Sequence, residues 1–133
     1  MHRETVTLRS ASREDLIDVT ARLRAVAAAH PEAALMALFA RGATSAIMIQ
    51  ENWDESVRTD IVACLRQIAP RGKWLHDRED GNADAHIKSG LVGPSATIPL
   101  ADGQMLLGRW QNVFFCDFDG PRTDRELIVT LLP

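Results

Sequence analysis

The C-terminal stretch "SATIPLADGQMLLGRWQNVFFCDFDGPRTDRELIVTLLP", residues 95–133, limits the fold more than any other part of the chain. Apolar and β-branched residues dominate it, and "ADG", "LGRW" and "DGPR" interrupt it with residues that favour turns, so it predicts three or four strands. A strand signal also opens the chain, where "TVTLRS", Thr5 to Ser10, alternates at period two. Between them lies the clearest helix, "WDESVRTDIVACLRQIAP". Asp54 is placed to cap it, and Val57, Ile61, Leu65 and Ile68 recur at helical spacing. Arg58, Asp60 and Arg66 are left for water, and Pro70 closes the segment. Strands on both sides of the helical segments predict an α+β domain rather than a doubly wound parallel sheet.

Shorter segments fill in the order of elements. In "EDLIDVTARLRAVAAAH", Thr20 is a plausible N-cap for a helix from Ala21 to His30, and "DLIDV" is equally compatible with a short strand entering it. After Pro31, the apolar runs "AALMALFA" and "TSAIMIQE" are separated by "RG" and predict an antiparallel pair. "NADAHIKSGLVG" predicts a short helix ending near Gly90 or Gly93. In "NVFFCDF", Val113, Phe115 and Asp117 alternate with Asn112, Phe114 and Cys116. Apolar groups therefore fall on both faces, and a partner subunit is expected to cover the excess.

With 133 residues, 46% of them hydrophobic, the chain suits one domain over residues 1–133 with one buried core. A formal charge of −3 and a pI near 5.8, without a basic run, argue against nucleic acid or an anionic membrane as partner. "MHRETVTLRS" lacks a signal-peptide pattern, and no run approaches the roughly 20 apolar residues of a membrane span, so a soluble cytoplasmic protein is expected. Cys64 and Cys116 lie far apart in apolar patterns, outside any metal-type spacing, and are expected to be reduced core thiols.

Four stretches carry residues suited to chemistry, and each also has a purely structural use. "HDREDGNADAH" sets His76 and His86 around several carboxylates, a donor set that zinc and other divalent first-row metals accept; the same stretch serves equally as a polar loop ahead of a helix. In "IQENWDESVR", Gln50, Glu51 and Asn52 stand where an apolar strand meets a capped helix, a place for ligand contacts or simply for capping. "RWQNVFF" opens a strand with Trp110 and Gln111, although an indole on a strand is usually core. "DFDGPRTDR" offers Arg122 and Arg125 to a phosphate or carboxylate, or to water.

The order of these stretches is more specific than any one of them. "IQENWDESVRTD" at Ile49 to Asp60, "HDREDGNADAHIKSGLVGPS" at His76 to Ser95, and "LGRWQNVFFCDFDGPR" at Leu107 to Arg122 together resemble the YjbQ family, whose members are often labelled secondary thiamine-phosphate synthase enzymes. The resemblance spans nearly the whole chain. It implies an α+β domain of antiparallel sheets packed with helices, assembled as a homotrimer, and favours the strand reading of "EDLIDV". One departure stands out: where the family typically carries "HTTA" or "HTSA", alignment on Glu51 and Asn52 sets the family histidine on Gly42. A donor is then missing, and a divalent ion, zinc or magnesium, is expected to bind only weakly.

Two classes of function follow from the resemblance. The first is an enzyme acting on phosphate-bearing small molecules, with weak thiamine-phosphate synthase-like transferase activity at a divalent-metal pocket. In it His76 and His86 hold the metal, Asp84 and Glu51 are the catalytic carboxylates, and Asn52, Lys88, Gln111 and Arg122 bind the substrate. A cationic clamp of Lys88, Arg122 and the metal would neutralise charge on a leaving diphosphate. The second is a non-catalytic metabolite- or metal-binding trimer that has kept the pocket and lost the chemistry.

Overall fold

The computed structural model describes residues Met1–Pro133. In chain order it contains β1 (His2–Leu8), β2 (Asp15–Asp18), α1 (Thr20–Ala28), β3 (Leu35–Arg41), β4 (Ser45–Gln50) and α2 (Glu55–Ile68). A 3₁₀ turn (Leu75–Arg78), α3 (Ala83–Val92), β5 (Ser95–Ala101), β6 (Gln104–Met105), β7 (Asn112–Asp117) and β8 (Arg125–Leu132) complete it. The strands form two antiparallel sheets, one of five strands in the order β1-β8-β3-β5-β6 and one of three in the order β2-β7-β4. This is the expected α+β domain, and "DLIDV" is indeed a strand. No helix is long and apolar enough to cross a membrane.

Period-two alternation assigns each strand face to a layer. The inward residues Val6, Met36, Leu38, Ile98, Leu127, Val129 and Leu131 of the five-stranded sheet meet Ile47, Val113 and Phe115 of the three-stranded one. Leu23, Val26 and Ala27 of α1 join the same core. The opposite face of the small sheet, with Leu16, Ala46, Phe114 and Cys116, packs under Leu65 of α2 and Ala85 of α3. β7 thus runs through the middle of a three-layer domain, and its own chain covers both apolar faces. The excess in "NVFFCDF" gives no reason for a partner subunit. The uncovered apolar surface lies elsewhere, on the outward face of the five-stranded sheet, where Phe39 is opposite Ile128 and Leu35 opposite Leu132.

Three further expectations are corrected. β3 and β4 do not pair with each other: β3 lies between β8 and β5, while β4 pairs with β7. Both runs are apolar because their side chains face each other across the core between the sheets. Cys64 is exposed and only Cys116 is buried, since Cys64 is one residue, about 100° around the helix, from the buried Leu65. Finally, Thr20 is the first residue of α1 rather than its cap: Val19 holds the cap position without a side-chain cap bond, and Asp18 Oδ1 accepts the Thr20 N–H at 2.8 Å. The Thr20 hydroxyl is left to accept the Val113 N–H and tie the helix to β7.

Candidate functional site

α3 presents two different faces, and its first turns carry most of the expected chemistry. On one face, a single carboxylate holds the preceding loop. Asp77 accepts the Trp74 N–H through Oδ2 at 3.0 Å and the Ala83 N–H through Oδ1 at 3.1 Å, so both ends of the loop meet one side chain. These backbone hydrogen bonds, Trp74 first and Ala83 second, lower the pKa of Asp77. The Trp74 indole N–H donates to the Pro70 carbonyl at 2.7 Å. Folded back in this way, His76 meets His86 edge to face with ring centroids 4.9 Å apart. The two imidazoles line a cavity of about 290 Å³ together with Trp74, Ala83 and Ile87.

The residues present do not make a complete metal centre. No three His, Cys, Asp or Glu side chains gather in a metal-holding arrangement. The nearest carboxylate, Asp80, lies 3.5 Å from His76 Nε2 and is largely exposed. A structural zinc site uses four donors and a catalytic one three, so the histidine pair supplies only part of a coordination shell.

On its other face α3 carries Asp84 and Lys88, spaced i to i+4, and neither projects into the cavity. Both are buried, with side-chain exposures of 0% and 2%. Arg13 grips Asp84 through two parallel bonds of 2.9 and 3.0 Å, and Lys88 Nζ donates to Asp84 at 2.8 Å and Glu14 at 3.1 Å. Arg66 closes the chain of charges on Glu14 at 2.6 Å. Burial alone would raise the pKa of Asp84, but hydrogen bonds from Arg13 and Lys88 outweigh it and hold the carboxyl at about 2. Glu14 is lowered in the same way: burial opposes, and Arg66 and Lys88 prevail. An acid so firmly ionised, with both oxygens occupied, anchors α3 to the loop before β2.

Arg122 is tied down as well. Its Nη2 donates to Asp119 Oδ2 at 2.9 Å, the same oxygen that receives Asn82 Nδ2 at 2.8 Å, so the start of α3 and the "DGPR" turn share one carboxylate. A second cluster lies beneath, where Ser10 and Arg125 converge on the buried Asp117 at 2.5 and 2.6 Å. The turn permits no side chain at Gly120, because a Cβ there would collide with the Ser12 carbonyl and stand 2.7 Å from Ser10 Oγ.

Glu51, Asn52 and Gln111 are not brought to this end. The ladder between β4 and β7 runs from Ser45 opposite Asp117 to Gln50 opposite Asn112, about 17 Å at the rise of a β-strand. Asp119 and Arg122 extend from the first end, Glu51 and Gln111 from the second. There Glu51 Oε2 accepts the Asp54 N–H at 3.3 Å, Asn52 Nδ2 donates to Asp18 at 2.6 Å, and Gln111 Oε1 accepts the Gly108 N–H at 2.7 Å. The predicted site residues therefore divide into two groups at opposite ends of the small sheet. A model of the family described as "UPF0047 protein YjbQ-like" matches residues 4–133. The chain belongs to the YjbQ family. It is 40% identical over 126 residues to UPF0047 protein MJ1081 of Methanocaldococcus jannaschii, covering 94% of this chain and 90% of that protein. It is 33% identical to UPF0047 protein YugU of Bacillus subtilis over 127 residues, 90% and 92% of the two chains. Among solved structures, a hypothetical protein from Aeropyrum pernix K1 superposes with a TM-score of 0.92 at 29% identity, covering 99% and 98% of the two chains. A YbjQ-like protein of unknown function from Sulfolobus solfataricus P2 also gives 0.92, at 25% identity over 98% and 95%. These likenesses extend through both ends of the small sheet in this YjbQ-family chain.

Asp77, Asp119 and Arg13 are the residues that sequence reasoning passed over. Arg125 had a readable signal: it shares a period-two face with Leu127, Val129 and Leu131, and a charge in register with core positions needs a buried partner.

Proposed function

We propose that this YjbQ-family protein binds a phosphate-bearing small molecule in the cavity between Trp74, His76 and His86. The observation that carries the reading is the convergence of the two imidazoles on a cavity of about 290 Å³ whose other walls are Trp74, Ala83 and Ile87. An apolar wall with a few aimed polar groups is the usual composition of a small-molecule site. Either ring can donate a hydrogen bond to an anionic oxygen. Weak thiamine-phosphate synthase-like transfer is the second reading. It requires a carboxylate and a cationic clamp at the same place, whereas Asp84 and Lys88 are neutralised in the network below, which favours binding. Zinc would be held weakly, by two imidazoles and water, and magnesium, which takes oxygen ligands, would gain little from the pair.

The same proposal includes a cytoplasmic homotrimer. The exposed and unpaired Cys64 suits a reducing compartment, and the outward ribbon of Leu35, Phe39, Ile128 and Leu132 supports assembly. Isothermal titration with thiamine phosphate should give a saturable signal that His76→Ala and His86→Ala each abolish. Binding that survives both substitutions would refute the cavity as the site. Growth rescue of a strain lacking thiamine-phosphate synthase would overturn the binding-only reading in favour of transfer.

A further inference from the structure

Between α2 and the chain entering β2 lies a cavity of about 370 Å³ that shares no residue with the one lined by the two imidazoles. Its volume falls within the range of small-molecule sites. Leu16 and Val62 give it an apolar wall. Of its charged residues, Glu14 and Arg66 are already joined, at 2.6 Å. Arg58 is different. Helical spacing leaves it for water, yet it is half-buried, with its guanidinium 6.0 Å above the Phe114 ring. None of its nitrogens donates a hydrogen bond or joins an ion pair, and Nε is cut off from water as well. A guanidinium so placed loses hydration without gaining an acceptor, which calls for an explanation. Glu55 stands three residues earlier on the same helix, a spacing at which unlike charges can meet, and Asp15 lines the same cavity, but neither pairs with Arg58. Asp15 keeps one oxygen open, since only Oδ2 accepts, from the Ala11 N–H at 2.7 Å. Charges of both signs therefore line one cavity unpaired.

We infer that this cavity binds a small zwitterion of the amino-acid type, with its carboxylate on the Nη donors of Arg58, its ammonium on Glu55 and Asp15, and its apolar side chain against Leu16 and Val62. A guanidinium held by packing rather than by hydrogen bonds keeps both Nη groups for a planar carboxylate, which it meets with two parallel charge-assisted bonds. Charge balance selects the class of ligand. Three carboxylates and two guanidiniums line the cavity, so a plain anion such as phosphate meets net repulsion, and a plain cation leaves Arg58 unmatched. A zwitterion matches both signs at once and leaves the net charge of the cavity unchanged. None of these groups belongs to the His76–His86 cavity, and the inference stands without it.

The test is titration of L-leucine, isocaproate and isopentylamine into the full chain, followed by amide and arginine Nε–H resonances. The three probes share an isobutyl group and differ in carrying both charges, the negative one alone or the positive one alone. L-leucine should shift the amides of residues 15–16 and 58–63 and the Arg58 Nε–H signal saturably. Each singly charged probe should bind about tenfold or more weakly, equivalent to about 1.4 kcal/mol. Arg58→Gln should remove the response to leucine. Glu55→Gln changes an exposed side chain, should leave the fold intact, and should weaken leucine several-fold while isocaproate binds as before or more tightly; it decides the matter if Arg58→Gln does not fold. His86→Ala should bind leucine as the wild type does, which separates this site from the histidine cavity. The inference is overturned if leucine shifts none of these resonances, if isocaproate or isopentylamine binds as tightly as leucine, or if Arg58→Gln and Glu55→Gln both bind leucine like the wild type.

Discussion

Asp84 offers the sharpest separation between a residue that anchors and a residue that catalyses. In Asp84→Asn the carboxylate that Arg13 and Lys88 share loses its charge while both cations stay in place, Lys88 at 2% exposure. The pKa gives a first magnitude. A carboxyl held at about 2 against an ordinary 3.8 is ionised more favourably in the folded chain, worth about 2 kcal/mol at neutral pH. Breaking a buried pair by removing one partner costs more than that, about 3 to 5 kcal/mol, although Glu14 remains to Lys88 and moderates the loss. We expect a loss of about 3 kcal/mol, read in urea denaturation at pH 7 as a midpoint lower by about 1 to 2 M. The sign with pH follows from the depressed pKa. The contribution is complete above the unfolded value near 3.8 and disappears as pH falls through about 2, so wild type and Asp84→Asn should converge in acid. The double variant Asp84→Leu with Lys88→Met should recover only part of the loss, because Glu14 retains Arg66 while Arg13 is left without its carboxylate. A midpoint unchanged in Asp84→Asn at pH 7 would refute the anchoring role and return Asp84 to the candidate catalytic acids.

Other consequences can be checked with equally simple measurements. Asp77→Ala should release the loop between Trp74 and Ala83, shifting Trp74 fluorescence and weakening zinc binding while the unfolding transition remains cooperative; unchanged zinc binding would mean that Asp77 does not position His76. Calorimetric titration of zinc should show weak, reversible binding that His86→Ala abolishes, and equal heats from both proteins would make the pair structural. A thiol reagent at neutral pH should modify Cys64 at once and Cys116 only on unfolding, because Cys116 is buried and its pKa is pushed up to about 12. Light scattering should report about 44 kDa, three times the 14.7 kDa chain, and Phe39→Glu should lower it; a monomeric wild type would remove the trimer.

Much of the fold was legible because its signals are local. The spacing of Ile61 and Leu65, the Asp54 cap and Pro70 mark α2 within a residue or two, and the "ADG" and "DGPR" turns divide the C-terminal strands. Partnership between strands was less legible. "AALMALFA" and "TSAIMIQE" look alike to any test of periodicity, yet one joins β8 and β5 and the other joins β7. Adjacent strands facing a common core carry the same alternation whether they pair edge to edge or stack face to face, and the turn between them contains no residue that distinguishes the two. The error over "NVFFCDF" has the same origin. A strand apolar on both faces requires two covers, and composition does not reveal whether its own chain supplies them.

The site was legible in its residue types and not in its directions. His76 and His86 were expected to converge, and they do, but the agent is Asp77, which resembles every other acid in a polar loop. Asp84 and Lys88 differ from His86 by two positions along α3, a rotation of about 200°, and that rotation carries them to the opposite side of the helix. Sequence spacing contained this separation in plain form: i to i+4 joins Asp84 with Lys88, and His86 stands between them on another face. A catalytic pairing of His86 with Asp84 therefore conflicts with the helical period itself. Glu51 and Gln111 are separated from His86 by distance instead of rotation. Both flank the end of the small sheet remote from the "DGPR" turn, whereas the start of α3 is bonded to that turn through Asn82 and Asp119. A ligand touching both groups would have to span the length of that sheet or bridge two copies. The trimer and the cavity are thus linked questions, and a mixture of His86→Ala and Glu51→Ala chains that regains thiamine phosphate binding absent from each alone would show the site to be shared.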